Sequence, residues 1–361
     1  MNSFETGPIR PPSEAGSYLI RLTRGCPWNK CKFCRSYRRV DFEIRDVAEV
    51  MADIDAMARI RNEIKSGHRI HDQYGWMVEN ALNSGGTTAF LQDGDSLAMK
   101  SDAVKKILTH LKEHFPEITR ITSYARSRTM ASRSVDDLVS YRELGLNRIH
   151  IGMESGHDPL LEIIKKGTTA EAHIRGGKRV VEAGIELSEY IMPGLGGREY
   201  SERHAIDSAR ALNEIGPNFI RLRTICLGSK LPLWEEFSSG KLTRLADLEI
   251  IKEIRTFIEA LDVEGAKIAS DHILNLLGDL EGEIPKDKVR LLGIIDNLLD
   301  LSKEEQELFQ VARRAGMLEK ISDLGHLRTQ TNARKLLDEV YRHYGRDGVE
   351  EAVQEMMERF I

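Results

Sequence analysis

The chain has 361 residues, 41 % of them hydrophobic and 30 % charged, with a formal net charge of −5. That is enough apolar content to bury a full core, one large domain plus a smaller one, and the acidic balance argues against a polyanion-binding surface over the whole molecule. No run approaches the roughly 18 apolar residues of a membrane span. The start, Met1-Asn-Ser-Phe-Glu-Thr-Gly-Pro, lacks a basic-then-apolar export signal, so the expectation is a cytoplasmic protein with reduced thiols.

Residues 18–23 read as a strand that runs into a turn-rich loop, Gly25-Cys-Pro-Trp-Asn-Lys-Cys-Lys-Phe-Cys34. The loop holds three of the four cysteines, Cys26, Cys31 and Cys34, at the spacing C-x4-C-x2-C. Three thiolates on one short loop match three corners of a cubane iron–sulfur cluster, leaving the fourth iron open to bind and polarise a ligand. A structural zinc site needs four protein ligands, and the nearest downstream histidines, His68 and His71, are more than thirty residues on. Three cysteines cannot all pair as disulfides. Free core cysteines remain an alternative, against which Gly25, Pro27, Trp28 and Asn29 mark a shaped loop.

Beyond the loop, strand and helix alternate. Residues 41–65 carry Val47, Val50, Met51, Ile54, Met57 and Ile60 at helical spacing. Strands are expected over 87–92, 120–126, 148–154, 186–192 and 218–226, with helices over 103–115, 135–144, 158–166, 170–183 and 199–215. Six strand–helix units in order imply a parallel sheet with right-handed crossovers. After 229 no strand pattern recurs; segments 248–261, 287–299, 303–315 and 333–360 are helical by period.

The strands carry a second signal. Parallel strands buried on both faces usually read as continuous apolar runs. Here Ile149, Ile151 and Met153 alternate with His150 and Glu154, and Ile220, Leu222 and Thr224 with Arg221 and Arg223. Arg21 and Thr23, then Thr122, Tyr124 and Arg126, occupy matching positions on earlier strands. A closed eight-strand barrel fills its lumen with branched apolar side chains. A polar lumen argues instead for a barrel open enough to hold a substrate; strands exposed on one side are the competing explanation.

The cysteine loop resembles the cluster-binding loop of the radical S-adenosylmethionine (SAM) superfamily, usually C-x3-C-x2-C with an aromatic before the last cysteine. Phe33 fills that place, and the first gap is one residue longer here. The resemblance implies a [4Fe–4S] cluster on Cys26, Cys31 and Cys34, SAM as its ligand, and an α/β fold: an open (β/α)6 partial TIM-type barrel. On this reading residues 1–15 form an N-terminal tail, 16–228 the barrel, and 229–361 a C-terminal helical domain over its mouth.

Sites in such folds gather at the carboxyl ends of strands. Gln92-Asp93-Gly94-Asp95 resembles the superfamily's Gly-Gly-Glu segment, which binds the SAM amino group, although Asp-Gly also makes ordinary turns. His150-Ile-Gly-Met-Glu154-Ser-Gly156 resembles a segment of anaerobic coproporphyrinogen dehydrogenase and its relatives, where the residue at the Glu154 position faces SAM. Lys166 falls near a basic residue that reaches the SAM carboxylate in those relatives, and Arg126 is a second candidate. Gly194, in Tyr190-Ile-Met-Pro-Gly-Leu-Gly-Gly197, resembles a glycine that contacts adenine.

The function implied is cleavage of SAM to a 5′-deoxyadenosyl radical that abstracts hydrogen from a small or medium metabolite. Such an enzyme is oxygen-sensitive and needs an electron donor such as flavodoxin or ferredoxin. Nucleic acid is not an expected partner, since one leftover cysteine cannot hold a second cluster and no extra basic domain is visible. The alternative is a binding protein that keeps cluster and SAM but hands on a ligand, as haem-chaperone relatives do. Arg221 and Arg223 each require an acidic partner; with Glu189 or Glu154 serving one, the other is left for an anionic substrate or the SAM carboxylate. Cys226 is either a hydrogen-atom donor or a buried structural residue, and its parity with Leu222 and Thr224 favours burial. Arg35, Arg38 and Arg39 either tune the cluster, meet an anionic substrate or begin a solvated helix. Asp271 reads as a helix cap, or lines the substrate cavity with His272 and Asn275.

Overall fold

The computed structural model describes residues 3–359. Strand β1 (Tyr18–Arg21) leads into β2 (Thr23–Arg24), which pairs antiparallel with β3 (Glu43–Ile44) across the cysteine loop. Arg24 lies opposite Glu43 in that register, and their side chains form an ion pair at 2.8 Å, so charge complementarity holds the short ribbon closed. Next come β4 (Thr88–Gln92), β5 (Arg120–Ala125), β6 (Leu146–Glu154), β7 (Glu186–Ile191), β8 (Phe219–Leu222), β9 (Ala266–Ala269) and β10 (Gly282–Ile284). Among the described residues, eight strands form one sheet in the order β1-β4-β5-β6-β7-β8-β9-β10. The pairs β1–β4, β4–β5, β5–β6 and β8–β9 are parallel, and β9–β10 is antiparallel. The mixed α/β architecture with a mostly parallel sheet agrees with the partial barrel expected.

Helices Val47–Lys65, Ser101–His114, Val135–Glu143, Ala170–Glu182 and Gly197–Ile215 fall between the strands where the apolar period placed them. The first starts later than residue 41: β3 takes Glu43 and Ile44, and Asp46 caps the helix by accepting the Ala48 N–H at 2.7 Å. Helix Gln73–Asn83 was not anticipated. The sixth expected strand stops at Leu222, four residues early, because the Thr224 N–H donates to Asn275 Oδ1 at 3.0 Å.

The region after 229, read as wholly helical, contains β9 and β10. Strands of four and three residues are too short for a period-two pattern to emerge from sequence. Gly345, at φ 73°, divides the last expected helix into Leu327–Tyr344 and Val349–Glu358.

The chain divides into two compact units: Met1–Gly152 with Glu171–Ser188, and Met153–Ala170 with Glu189–Ile361. In the first, Ile20, Met57, Phe90, Leu91 and Ile107 are fully buried; in the second, Leu212, Ile220, Leu280, Ile295 and Phe309 are. Each such side chain contributes about 1.5–3 kcal/mol by leaving water. The first described residues are tied down, with Phe4 and Glu14 buried and the Gly7 N–H donating to Gln92 Oε1 at 2.7 Å. On β6 and β8 both parities are enclosed: Ile149, Ile151 and Met153 are at 0 % exposure, and so is His150 on the polar side. That excludes strands exposed on one side.

Candidate functional site

The cysteine loop in the first unit is held by its own polar side chains. Asn29 sits at φ 46°, a left-handed conformation that asparagine tolerates better than most residues. Its Nδ2 donates to Tyr37 O at 2.5 Å and to Val40 O at 3.2 Å. The longer first gap is thus absorbed by one left-handed residue pinned at its tip. Arg38 donates from Nε to Cys34 O at 2.8 Å and from Nη2 to Cys31 O at 3.2 Å. Of the three arginines after the loop, this one buttresses it. Cys26, Cys31, Phe33 and Cys34 are half-buried, and none of the cysteines is in a disulfide.

The turn after β4 packs directly on this loop. A Cβ added at Gly94 would lie 3.0 Å from Cys26 Cβ and 3.2 Å from Tyr37 Cε2, so any larger residue would press these two side chains aside. The flanking acids point elsewhere. Asp93 accepts from Arg21 Nε at 2.6 Å and from the Tyr37 hydroxyl at 2.8 Å, and burial raises its pKa against the pull of Arg21. Tyr37 is itself only 3 % exposed, with its phenol pKa raised by burial and then by Asp93. Asp95 is fully buried, accepts the Arg126 N–H at 3.3 Å and the Thr129 hydroxyl at 2.5 Å, and is pushed up to about 6 by burial. These carboxylates hold the turn and the end of β5 in place. Arg126 then lies over the Trp28 ring at 5.5 Å, beside the cysteines.

The donor set fits a cubane cluster. Three half-buried thiols, none in a disulfide, on a loop buttressed by Asn29, Arg38 and Gly94 are a donor set that three corners of a cubane would take.

The second unit carries a different polar set. Glu154, at φ 66°, ends β6 and accepts from Lys166 Nζ at 3.0 Å. Glu189 on β7 is at 0 % exposure, and neither carboxylate oxygen has a hydrogen-bond partner. Burial pushes its pKa well above the usual range, Lys166 pulling the other way and Glu154 adding to the rise. Gly156 is required by close packing, since a Cβ there would lie 2.4 Å from Asp207 O, and its N–H donates to Ser208 Oγ at 2.8 Å. Gly194 is buried at φ 82°, with its N–H engaged by Glu253 Oε1 at 2.7 Å.

Arg221 on β8 and Arg223 just past its end are partnered otherwise than expected. Neither Glu154 nor Glu189 serves them. Arg221 Nη1 meets Asp271 Oδ2 at 2.6 Å, and Arg223 Nη1 meets Asp271 Oδ1 at 2.7 Å. Asp271 is therefore no helix cap, but the shared counter-ion of two guanidiniums. Arg223 also stacks on Tyr190 at 5.0 Å. His272 follows Asp271, with Nδ1 unpartnered and its pKa lowered to about 4 by burial and then by Arg223. Asn275 is structural: it accepts from Thr224 N and Oγ1 and donates to Leu222 O, locking the end of β8. Cys226 packs with Leu274 and Met357, as a structural cysteine would.

Sequence reasoning missed Asn29 as the loop's hinge, Tyr37 as the anchor of Asp93, and Asp271 as the arginine partner. An asparagine within the longer gap was a readable signal; the other two depend on residues some fifty positions apart.

The family model described as the radical SAM superfamily matches residues 20–209. A tRNA uridine(34) acetyltransferase from Methanocaldococcus jannaschii is 21 % identical over 113 residues, covering 31 % of this chain and 21 % of that protein. The chain therefore matches about a fifth of that relative's length. Among solved structures, the Methanocaldococcus infernus Elp3 with an N-terminal deletion aligns at TM-score 0.42 and 16 % identity, over 59 % of this chain and 52 % of that one. Methylornithine synthase (PylB) aligns at TM-score 0.42 and 17 % identity, over 78 % and 83 %.

Proposed function

Because the chain belongs to the radical SAM superfamily, whose cofactors are a [4Fe–4S] cluster and SAM, we propose that it is an enzyme abstracting hydrogen from a small or medium anionic metabolite. Cys26, Cys31 and Cys34 would hold the cluster. When bound, cluster and SAM together supply the 5′-deoxyadenosyl radical; the protein supplies orientation and exclusion of water and oxygen.

The observation that carries this reading is the seating of Gly94 against Cys26, which brings the turn after β4 to the three-thiol loop. Arg126, held by its N–H on Asp95 and by its charge over Trp28, offers a cation there. In the second unit Glu154, Lys166 and Glu189 give two acids and one base in a water-poor setting. SAM bears an ammonium, a sulfonium and a carboxylate, so Glu154 and Glu189 suit its cations and Lys166 its anion. We propose that the acids of the Asp93–Asp95 turn act by shaping it, and that Gly194 acts through its shape and not its N–H.

Charge supports the reading of an anionic substrate. Two guanidiniums share one carboxylate at Asp271, which leaves one positive charge over. Arginine matches carboxylates and phosphates in bidentate geometry better than lysine.

The test is anaerobic reconstitution. Wild type should carry about four irons per chain and a cluster signal that changes on adding SAM. Replacing Cys26, Cys31 and Cys34 together with alanine should abolish both. A triple variant that retains a native cluster, or a wild type holding stoichiometric zinc without response to SAM, would overturn the assignment. Catalytic SAM cleavage separates the enzyme from a chaperone of the haem-carrying kind.

A further inference from the structure

We propose that Asp55, His110 and His114 form a divalent metal site, distinct from the cysteine loop, that staples helix Val47–Lys65 to helix Ser101–His114. His110 and His114 are four residues apart on one helix, so their rings share a face. The ring centroids are 4.0 Å apart. From the other helix, Asp55 Oδ1 reaches His110 Nε2 at 2.7 Å and His114 Nε2 at 3.2 Å. The three ligand atoms all lie within 4.8 Å of one another.

That convergence is what a tetrahedral ion requires. With metal–ligand bonds of about 2.0–2.2 Å, donors around Zn²⁺ stand roughly 3.4 Å apart, so small side-chain shifts admit the ion. His114 Nδ1–H donates to His110 O at 3.0 Å, which assigns its Nε2 to a ligand, whereas His110 Nε2–H donates to Asp55 Oδ1 at 2.7 Å and would give up that proton to a metal. Ligating histidines commonly anchor the remote nitrogen as His114 does. Two imidazoles and one carboxylate favour zinc or a neighbouring transition metal over calcium or magnesium. Side-chain exposures of 14 % for His110, 36 % for His114 and 39 % for Asp55 leave an entry path and a fourth position for water.

Bridging these helices would tie down the segments that follow β3, which closes the cysteine loop, and β4, which leads into the Gly94 turn. With three protein ligands and an open fourth position, the site would bridge the two helices without being closed by protein.

The experiment is calorimetric titration of the full-length, cluster-loaded protein with Zn²⁺, the cluster keeping the three loop thiols occupied. One Zn²⁺ per chain should bind, and the melting temperature should rise with it. His114→Gln and Asp55→Asn should each weaken binding by more than the roughly 10- to 100-fold that loss of an outer-shell partner brings. His68→Gln, at an exposed position, should bind as wild type does. If His114→Gln fails to fold, Asp55→Asn alone decides. Should the cluster prove impossible to load, the Cys26, Cys31, Cys34 triple alanine variant gives the same reading without competing thiols. No uptake of Zn²⁺, or equal affinity in wild type and both variants, would overturn the proposal.

Discussion

The two polar regions differ in how far the protein satisfies its own charges. Around the cysteine loop, Asp93 is met by Arg21 and Tyr37, Asp95 by Arg126 and Thr129, and Asn29 by two carbonyls. In the second unit Glu189 is buried with both oxygens unpartnered, and two arginines divide one aspartate. A fully paired network costs little to keep and specifies one geometry. An unpaired buried acid costs free energy until something binds it. The first region holds the loop still; the second keeps charge unmatched, which is where the proposed function would place a ligand.

The largest expected effect tests whether the second region's chemistry is separable from its packing. Met153, fully buried on β6, should cost about 2–5 kcal/mol when cut to alanine, read as a fall in denaturation midpoint. Its neighbour Glu154 should behave differently. Glu154→Ala should leave the iron content intact and weaken SAM binding about 10- to 100-fold, the 1.5–3 kcal/mol of a charged hydrogen bond. Normal SAM binding in that variant would remove Glu154 from the ligand site.

Asn29→Ala probes the first region. It deletes two tethers and leaves alanine at positive φ, at a cost of about 1–2 kcal/mol confined to the loop. The global midpoint should barely move, while reconstituted iron falls below the wild-type value. Full retention of iron would mean that the loop does not depend on this tether.

The smallest effect is a pH dependence. Burial raises the Glu189 pKa above its ordinary value of 4.5, so this acid supports folding fully below that value and loses its contribution as pH rises through the raised one. Glu189→Gln should therefore match wild type near pH 4.5 and melt progressively higher than wild type toward pH 8. A difference that does not grow with pH would show Glu189 ionised and paired, and the contrast between the regions would fail.

What the sequence determined by itself was local. Three thiols within nine residues stay together in any fold, because the covalent chain allows nothing else. Helices and parallel strands follow from apolar periods that each segment carries alone, and the alternation on β6 and β8 placed polar side chains opposite an apolar face. Tertiary structure decided every pairing at long range. Asp271 could not be assigned to Arg221 and Arg223 across some fifty residues, because burial demands a counter-ion without saying which acid will be close. Nor could Asp93 and Asp95 be seen to turn inward, since an Asp-Gly-Asp turn reads alike whether Arg21, Tyr37 and Thr129 reach it or a ligand does. The two histidines of helix Ser101–His114 were readable as one face; only the packing of helix Val47–Lys65 against it supplied the carboxylate that makes them a site.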